Sequence, residues 1–352
     1  MSEQSTERQA IPAGKFIDIY KVIRLVGIGS FGGVYQVQKT DSKKIYAMKT
    51  ENIDSKSQFL QYEIQILKEI HGDYFPKYID SGTNKEYNVN YLIMSYFSAS
   101  INEIHNVGDT DLGMVVVYNL GLKMLEPIKS FHNLGFVHRD IKPSNFVIQQ
   151  NPKYPIVLVD FNLSARYIDL ETNKLCPCNN DHTFIGTKIF ASIDVLSSYS
   201  CGPKDDLIAW FNSFLYLACG ELPWSNEKDK SKLISIKKSF KLSDLNYKFP
   251  SQFQQIYDYL KKLKYKDTPD YDYIQNLFVS GMKEDSVLPD SFNWSDFLSK
   301  YENLTKYQEA LCNFTLKVLN DNDKKENQRK KDQNEENSEK QKSESKKSCL
   351  IE

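Results

Sequence analysis

His138-Arg139-Asp140-Ile141-Lys142-Pro143-Ser144-Asn145 lies between two short apolar runs, residues 136–138 and 146–148. Short apolar runs bounded by polar residues and proline read as strands, so this stretch reads as a polar loop joining two of them. Working outward, residues 115–131 have the length and apolar content of a long buried helix, and residues 156–159 form another short strand. Residues 204–219 and 251–263 read as further helices. The loop therefore sits inside a mainly helical part of the chain that begins near Asp111.

Before Asp111 the pattern differs. Residues 16–37 alternate apolar and polar side chains on both sides of a Gly-rich centre, the signature of a two-stranded hairpin. Residues 44–50 and 91–94 read as strands, and residues 58–70 have helical period. A small β-rich part followed by a large α-rich part predicts two lobes, with the cleft between them as a natural ligand site. Gly27, Gly29 and Gly32 spell G-x-G-x-x-G, followed by Gly33 and Val34. Glycines let backbone amides approach phosphate oxygens closely. A dinucleotide fingerprint uses the same letters but runs from strand into helix, whereas here Val34-Tyr35-Gln36-Val37 continue as strand. An ordinary Gly-rich hairpin fits the motif as well. Ala47-Met48-Lys49 closes the next strand, and a lone lysine there is usually a surface group. Phe59, Ile66, Leu67 and Ile70 share one helical face, and Glu63 falls within it. An inward carboxylate needs a partner, and Lys49 offers one; alternatively Glu63 sits at the edge of the stripe and reaches water.

The octapeptide with its two carboxamide and carboxylate groups resembles the catalytic loop of protein kinases. Asp160-Phe161-Asn162, after the apolar run 156–159, is similar to that family's Asp-Phe-Gly, with Asn162 in place of Gly. Asn tolerates left-handed backbone angles, so the exchange is expected to be compatible with the fold. Gly186-Thr187-Lys188-Ile189-Phe190-Ala191-Ser192-Ile193-Asp194, Asp205-Asp206-Leu207, Leu222-Pro223-Trp224 and Asp267-Thr268-Pro269-Asp270-Tyr271 resemble the casein kinase I superfamily. Pro143-Ser144-Asn145-Phe146, Lys228-Asp229-Lys230, Gly281-Met282-Lys283-Glu284 and Phe292-Asn293-Trp294 resemble its tau-tubulin kinase branch. The resemblance covers residues 16–294.

It implies an α+β, bilobal kinase fold: a polar extension at 1–15, a small lobe at 16–97, a large lobe at 98–317 and a charged tail at 318–352. It also implies a serine/threonine kinase using ATP and Mg2+. Asp140 would accept the proton of the attacking hydroxyl, and Lys142 would neutralise the transferring phosphoryl group. Asn145 and Asp160 would be the metal ligands, and the Lys49–Glu63 pair would serve the nucleotide phosphates. Gly27, Ile28, Gly29, Gly32 and Val34 would cover the nucleotide. Ala47 would lie above the adenine and Val147 below it, with Met94 as gatekeeper and Ser95 to Phe97 as hinge. Asp206 would anchor the backbone of the catalytic loop. Lys188, with Lys237 and Lys238, would recognise acidic or pre-phosphorylated protein substrates. A pseudokinase scaffold is the alternative, resting on Asn162.

The 352 residues carry a formal net charge of −1, so no global field points to nucleic acid or an anionic membrane. The N-terminal residues lack a signal-peptide layout, and no apolar run approaches a spanning helix. Scattered cysteines then predict reduced thiols and a cytoplasmic chain, able to enter the nucleus as well, acting as a monomer. Cys176-Pro177-Cys178 with His182 has the wrong spacing for zinc. Residues 320–348 contain no large apolar side chain and predict a disordered tail. Within it, Ser338 and Ser348 have the acidic-upstream spacing that suits self-phosphorylation. Cys349-Leu350-Ile351-Glu352 has a C-a-a-X layout with an untypical last residue, so membrane attachment is expected only if Cys349 is prenylated.

Overall fold

The computed structural model describes residues 10–318, apart from 30–31, 56, 108–111, 170, 173, 179–182, 303, 305–307 and 316. Most of the predicted 1–15 extension, the tail beyond 318 with Ser338, Ser348 and Cys349, and His182 lie outside the described residues.

The small lobe is one antiparallel sheet. Its strands are β1 (Phe16–Ile17), β2 (Tyr20–Ile28), β3 (Gly33–Lys39), β4 (Ile45–Asn52), β5 (Tyr78–Asn84) and β6 (Val89–Ser95), in the order β1-β2-β3-β4-β6-β5. Alternation along each strand gives the sheet two apolar faces. Val22, Val37, Met48 and Ile93 point to one face and form a small core closed by Ile11 and Tyr20. Ala47, Leu92 and Met94 point to the other, where α1 (Phe59–Glu69) packs through Leu60, Ile64 and Leu67.

The large lobe is built on α2 (Ile101–Val107), α3 (Met114–Asn133), α4 (Ile193–Leu196), α5 (Pro203–Cys219), α6 (Lys230–Ser239), α7 (Ser251–Lys262), α8 (Tyr271–Glu284) and α9 (Trp294–Lys300). Beyond α9, residues 308–315 are also helical. Short strands carry the loops of the cleft: β7 (Phe136–Val137) pairs with β10 (Ala165–Arg166), and β8 (Phe146–Ile148) pairs with β9 (Ile156–Leu158). A small ribbon of β11 (Ile168–Asp169) and β12 (Lys174–Leu175) follows.

α3 and α5 meet at Gly121. A side chain there would bring Cβ within 2.7 Å of Phe214 and 2.9 Å of Phe278, and Trp210 donates its indole N–H to the Gly121 carbonyl at 2.8 Å. This close approach stacks Tyr118, Phe214, Phe253 and Phe278 into one aromatic cluster. The main core is continuous across the cleft. It runs from Ala47, Ile64 and Met94, through Ile128, Phe131 and Phe161, to Phe278 and Phe297.

Candidate active site

Lys49, in the middle of β4, reaches the buried carboxylate of Glu63 on α1 at 2.6 Å and the Asp160 carboxylate at 2.5 Å. Glu63 is fully buried, so the inward reading of the α1 stripe holds and the solvent-edge alternative does not. Its second oxygen accepts the Phe161 backbone N–H at 3.1 Å. Phe161 is locked beneath, its ring 5.0 Å from Phe131 and 5.6 Å from His138. Burial alone would strip the proton from Lys49, but the two carboxylates outweigh it and hold the ammonium strongly charged. Burial pushes Glu63 up, whereas for Asp160 the adjacent Lys49 overcomes burial and keeps the carboxyl below its ordinary range.

The polar loop folds around Asp140. Lys142 pairs with one Asp140 oxygen at 2.6 Å, and the Thr187 hydroxyl donates to the other at 2.7 Å. Lys142 also donates to Thr187 at 3.2 Å. Asn145 turns its amide nitrogen back to the Asp140 carbonyl at 2.8 Å. Gly186 makes the approach of Thr187 feasible: its φ is +101°, and a Cβ would sit 2.6 Å from the Arg139 carbonyl. The loop backbone is held from below by Asp206, whose carboxylate accepts the N–H groups of His138 at 2.6 Å and Arg139 at 2.9 Å. Burial opposes ionisation of Asp206, but hydrogen bonds led by the one from His132 (2.9 Å) outweigh it and depress its pKa. Arg139 and Asp160 both sit at φ +71°, a left-handed angle that non-glycine residues adopt only under constraint. Asn162 does not. It lies in a right-handed turn spanning Phe161–Leu163, so the exchange of Gly for Asn makes no left-handed demand at that position.

The roof of the cleft is the β2–β3 hairpin. Gly27 pairs with Val34 and Ile28 with Gly33, and Gly29 N–H bonds the Gly32 carbonyl at 2.9 Å. The glycines have different reasons. A Cβ on Gly27 would meet nothing within 4 Å, whereas one on Gly32 would fall 1.8 Å from the Thr50 carbonyl oxygen. Ala47 lies opposite Met94 across β4 and β6, Ser95 ends β6, and Phe97 follows. Val147 on β8 bridges to Ser100 just beyond, which closes the floor.

The structure brings Lys49 together with Glu63 and Asp160, and Asp140 with Lys142 and Asn145, and it adds three residues that sequence reasoning did not assign to the site. Thr187 touches both Asp140 and Lys142, and the only sequence signal for it was its place in the 186–194 motif. His132 and Tyr271 extend the Asp206 network from α3 and α8; nothing in the buried α3 pattern marks His132, and Tyr271 was noted only as part of the 267–271 motif.

One expectation is corrected. Lys237 was grouped with Lys188 as a substrate-facing cation, but it is only 5 % exposed. It donates to the Ile189 and Ala191 carbonyls, each at 2.8 Å, and its ammonium lies 4.6 Å over the Trp224 ring. Burial pushes its pKa down to about 7. Lys188 and Lys238 remain exposed. Among the described residues, no group of three or more His, Cys, Asp or Glu has the arrangement of a metal site.

Comparison with known proteins follows the same lines. The family model for the protein kinase domain matches residues 20–325. A Dictyostelium discoideum protein named "Probable serine/threonine-protein kinase" is 33% identical over 264 residues, 73% of this chain and 52% of that protein. The chain therefore matches about half the length of this relative.

Proposed function

The chain belongs to the protein kinase family, and on that premise we propose that it transfers the γ-phosphoryl group of ATP to serine or threonine hydroxyls of protein substrates. The observation that carries this reading is the convergence on one cleft of Lys49, Glu63 and Asp160 with Asp140, Lys142 and Asn145.

The chemistry is positioning and charge neutralisation. Asp140 is buried, and its oxygens are aimed by Thr187 and Lys142, so it can orient a hydroxyl and accept its proton. Lys142 stays beside the same carboxylate, where it can neutralise the phosphoryl group in flight. Lys49, held by Glu63, exchanges its bond to Asp160 for nucleotide phosphates. Asp160 and Asn145 would hold Mg2+. Both present oxygen donors, which suit this hard cation, and no hydrogen bond among the described residues uses the Asn145 side-chain oxygen. When bound, such an ion supplies charge neutralisation on phosphate oxygens.

The finer assignment follows the sequence resemblance to the casein kinase I superfamily and its tau-tubulin branch. Exposed Lys188, beside Thr187, supports recognition of an acidic or phosphorylated residue upstream of the target hydroxyl. With Lys237 committed to backbone carbonyls, that selectivity falls to fewer cations. A cytoplasmic and nuclear location is part of the same proposal, and fluorescence imaging of the tagged chain in its native cells checks it.

The test is phosphate transfer from labelled ATP to paired serine peptides, with and without an upstream phosphoserine, by wild type and Asp140→Ala. Wild type is expected to prefer the phosphorylated peptide. Asp140→Ala is expected to lose about a thousandfold in rate while still binding ATP. A silent wild type that binds ATP would favour the scaffold alternative, and equal rates on both peptides would discard the upstream preference alone.

A further inference from the structure

The helical segment beyond α9 returns to the cleft from behind. Gln308, at its start, is 1 % exposed, although it is a polar residue on the last described stretch of the chain. Both ends of its side chain are used. The amide nitrogen donates to the Ser98 carbonyl at 2.8 Å, and the amide oxygen accepts from the Arg24 guanidinium at 2.8 Å. The same Arg24 nitrogen donates to the Tyr96 hydroxyl at 3.0 Å, and Arg24 Nε donates to Gln36 at 2.8 Å. No carboxylate among the described residues pairs with Arg24. Its remaining nitrogen, Nη1, is buried and has no hydrogen-bond partner among the described residues.

These contacts tie β2 of the roof, the hinge and the segment beyond α9 to one another, and Arg24 also reaches Tyr96 of the hinge directly. β2, which carries Arg24, also carries Gly27 and Ile28 of the roof. Tyr96 lies in the expected hinge, and Ser98 follows it directly. Two residues further, Ser100 bridges to Val147 on the floor. One amide thus spans roof and hinge together. A primary amide suits the task because it offers a donor and an acceptor on one rigid plane. A carboxylate lacks the donor, and a shorter or apolar side chain leaves the partly buried Ser98 carbonyl and a guanidinium N–H without this partner.

We infer that Gln308 is a positioning residue for the adenine end of the nucleotide, fixing the hinge against the roof from the segment beyond α9. This rests on reading the cleft as an ATP site. It assigns the segment at 308–315 a part in nucleotide affinity, although it touches neither the phosphates nor Asp140. Losing the amide should loosen the hinge, which meets the base, and leave the phosphoryl-transfer groups in place.

The experiment is steady-state phosphotransfer by the full chain, as wild type, Gln308→Ala and Gln308→Glu, varying ATP and then the protein substrate. Gln308→Glu keeps the acceptor for Arg24 and loses the donor to Ser98. The KM for ATP is expected to rise about tenfold in Gln308→Ala and by less in Gln308→Glu. Saturating kcat and the KM for protein substrate should stay within about twofold of wild type. Inhibition by adenosine should weaken by the same factor as the KM for ATP rises, because adenosine carries the base and no phosphate. An unchanged KM for ATP in both variants, or kcat and both KM values moving together, would overturn the inference. Should Gln308→Ala fail to fold, Gln308→Glu decides: unchanged adenosine inhibition overturns it. A wild type that binds neither ATP nor adenosine would remove the nucleotide reading itself, which is a separate result.

Discussion

Lys237 shows how a single side chain can read one way in sequence and behave another way in the fold. Apolar Leu233, Ile234, Ile236 and Phe240 lie near it in the sequence, but they do not mark which of the two adjacent lysines is buried. Burial comes from elsewhere: the Trp224 face on one side and two carbonyls of the 189–191 segment on the other. Across the cavity that adjoins it, the charged groups are Lys204, Asp194 and Lys261, and Lys204 already pairs with Asp194 at 2.6 Å and Asp205 at 2.8 Å. Lys237 therefore has no carboxylate of its own among the described residues. In the unfolded chain it keeps its proton up to an ordinary 10.5, and in the folded chain it releases it at about 7. Between those values the unfolded state binds more protons, so stability rises with pH through that window. Below it the full penalty of burying the ammonium is present. Relative to Lys237→Met, wild type should gain on the order of 3 kcal/mol on going from about pH 7 to about pH 10. Denaturant unfolding of both proteins across that range checks this, and a constant difference between them would refute it. The groups proposed for catalysis were far easier to read, because Asp140, Lys142 and Asn145 lie within one short motif.

At the level of elements, strong periodicity was readable and weak periodicity was not. α1, α3 and α5 were found from their apolar stripes. β5, Tyr-Ile-Asp-Ser-Gly-Thr-Asn, carries Asp, Ser, Gly and Asn, which locally favour turns, and it is a strand because β6 pairs with it along its length. α6 buries only Leu233 and Lys237, so its period is too faint to detect. α8 and α9 were also unread as helices, although their motifs contributed to the family resemblance. The Gly-rich hairpin was read correctly as an element but for one reason only. Openness toward phosphate fits Gly27, whereas Gly32 is required by contact with β4. Gly32→Ala should therefore lower stability by about 2 kcal/mol, since a main-chain carbonyl at 1.8 Å cannot move aside without shifting the strand. Gly27→Ala should stay within about 0.5 kcal/mol. Thermal unfolding of the two variants separates these roles, and equal melting points would contradict the distinction.

At the level of the whole molecule, the two-lobed plan was legible from the change of pattern near Asp111, and the cleft followed from it. The role of the segment past α9 was not, because Gln308 meets Arg24 and Ser98 across most of the length of the chain and leaves no local trace. Neither was the extent of the main core. The cleft parts the lobes at the surface, yet beneath it the apolar contacts pass from Ile64 through Phe131 and Phe161 to Phe278 without interruption. A boundary between independently folding units would need a gap in those contacts. The lobes should therefore melt as one cooperative body. Calorimetry should record a single transition whose measured and van't Hoff enthalpies agree. ATP at about a hundred times its dissociation constant should shift that whole transition by about 2.7 kcal/mol, and two resolved peaks would show the lobes to be separate. A ligand that touches only the seam of such a body stabilises all of it, so the heat resistance of remote α8 and α9 becomes a reporter of occupancy at the cleft.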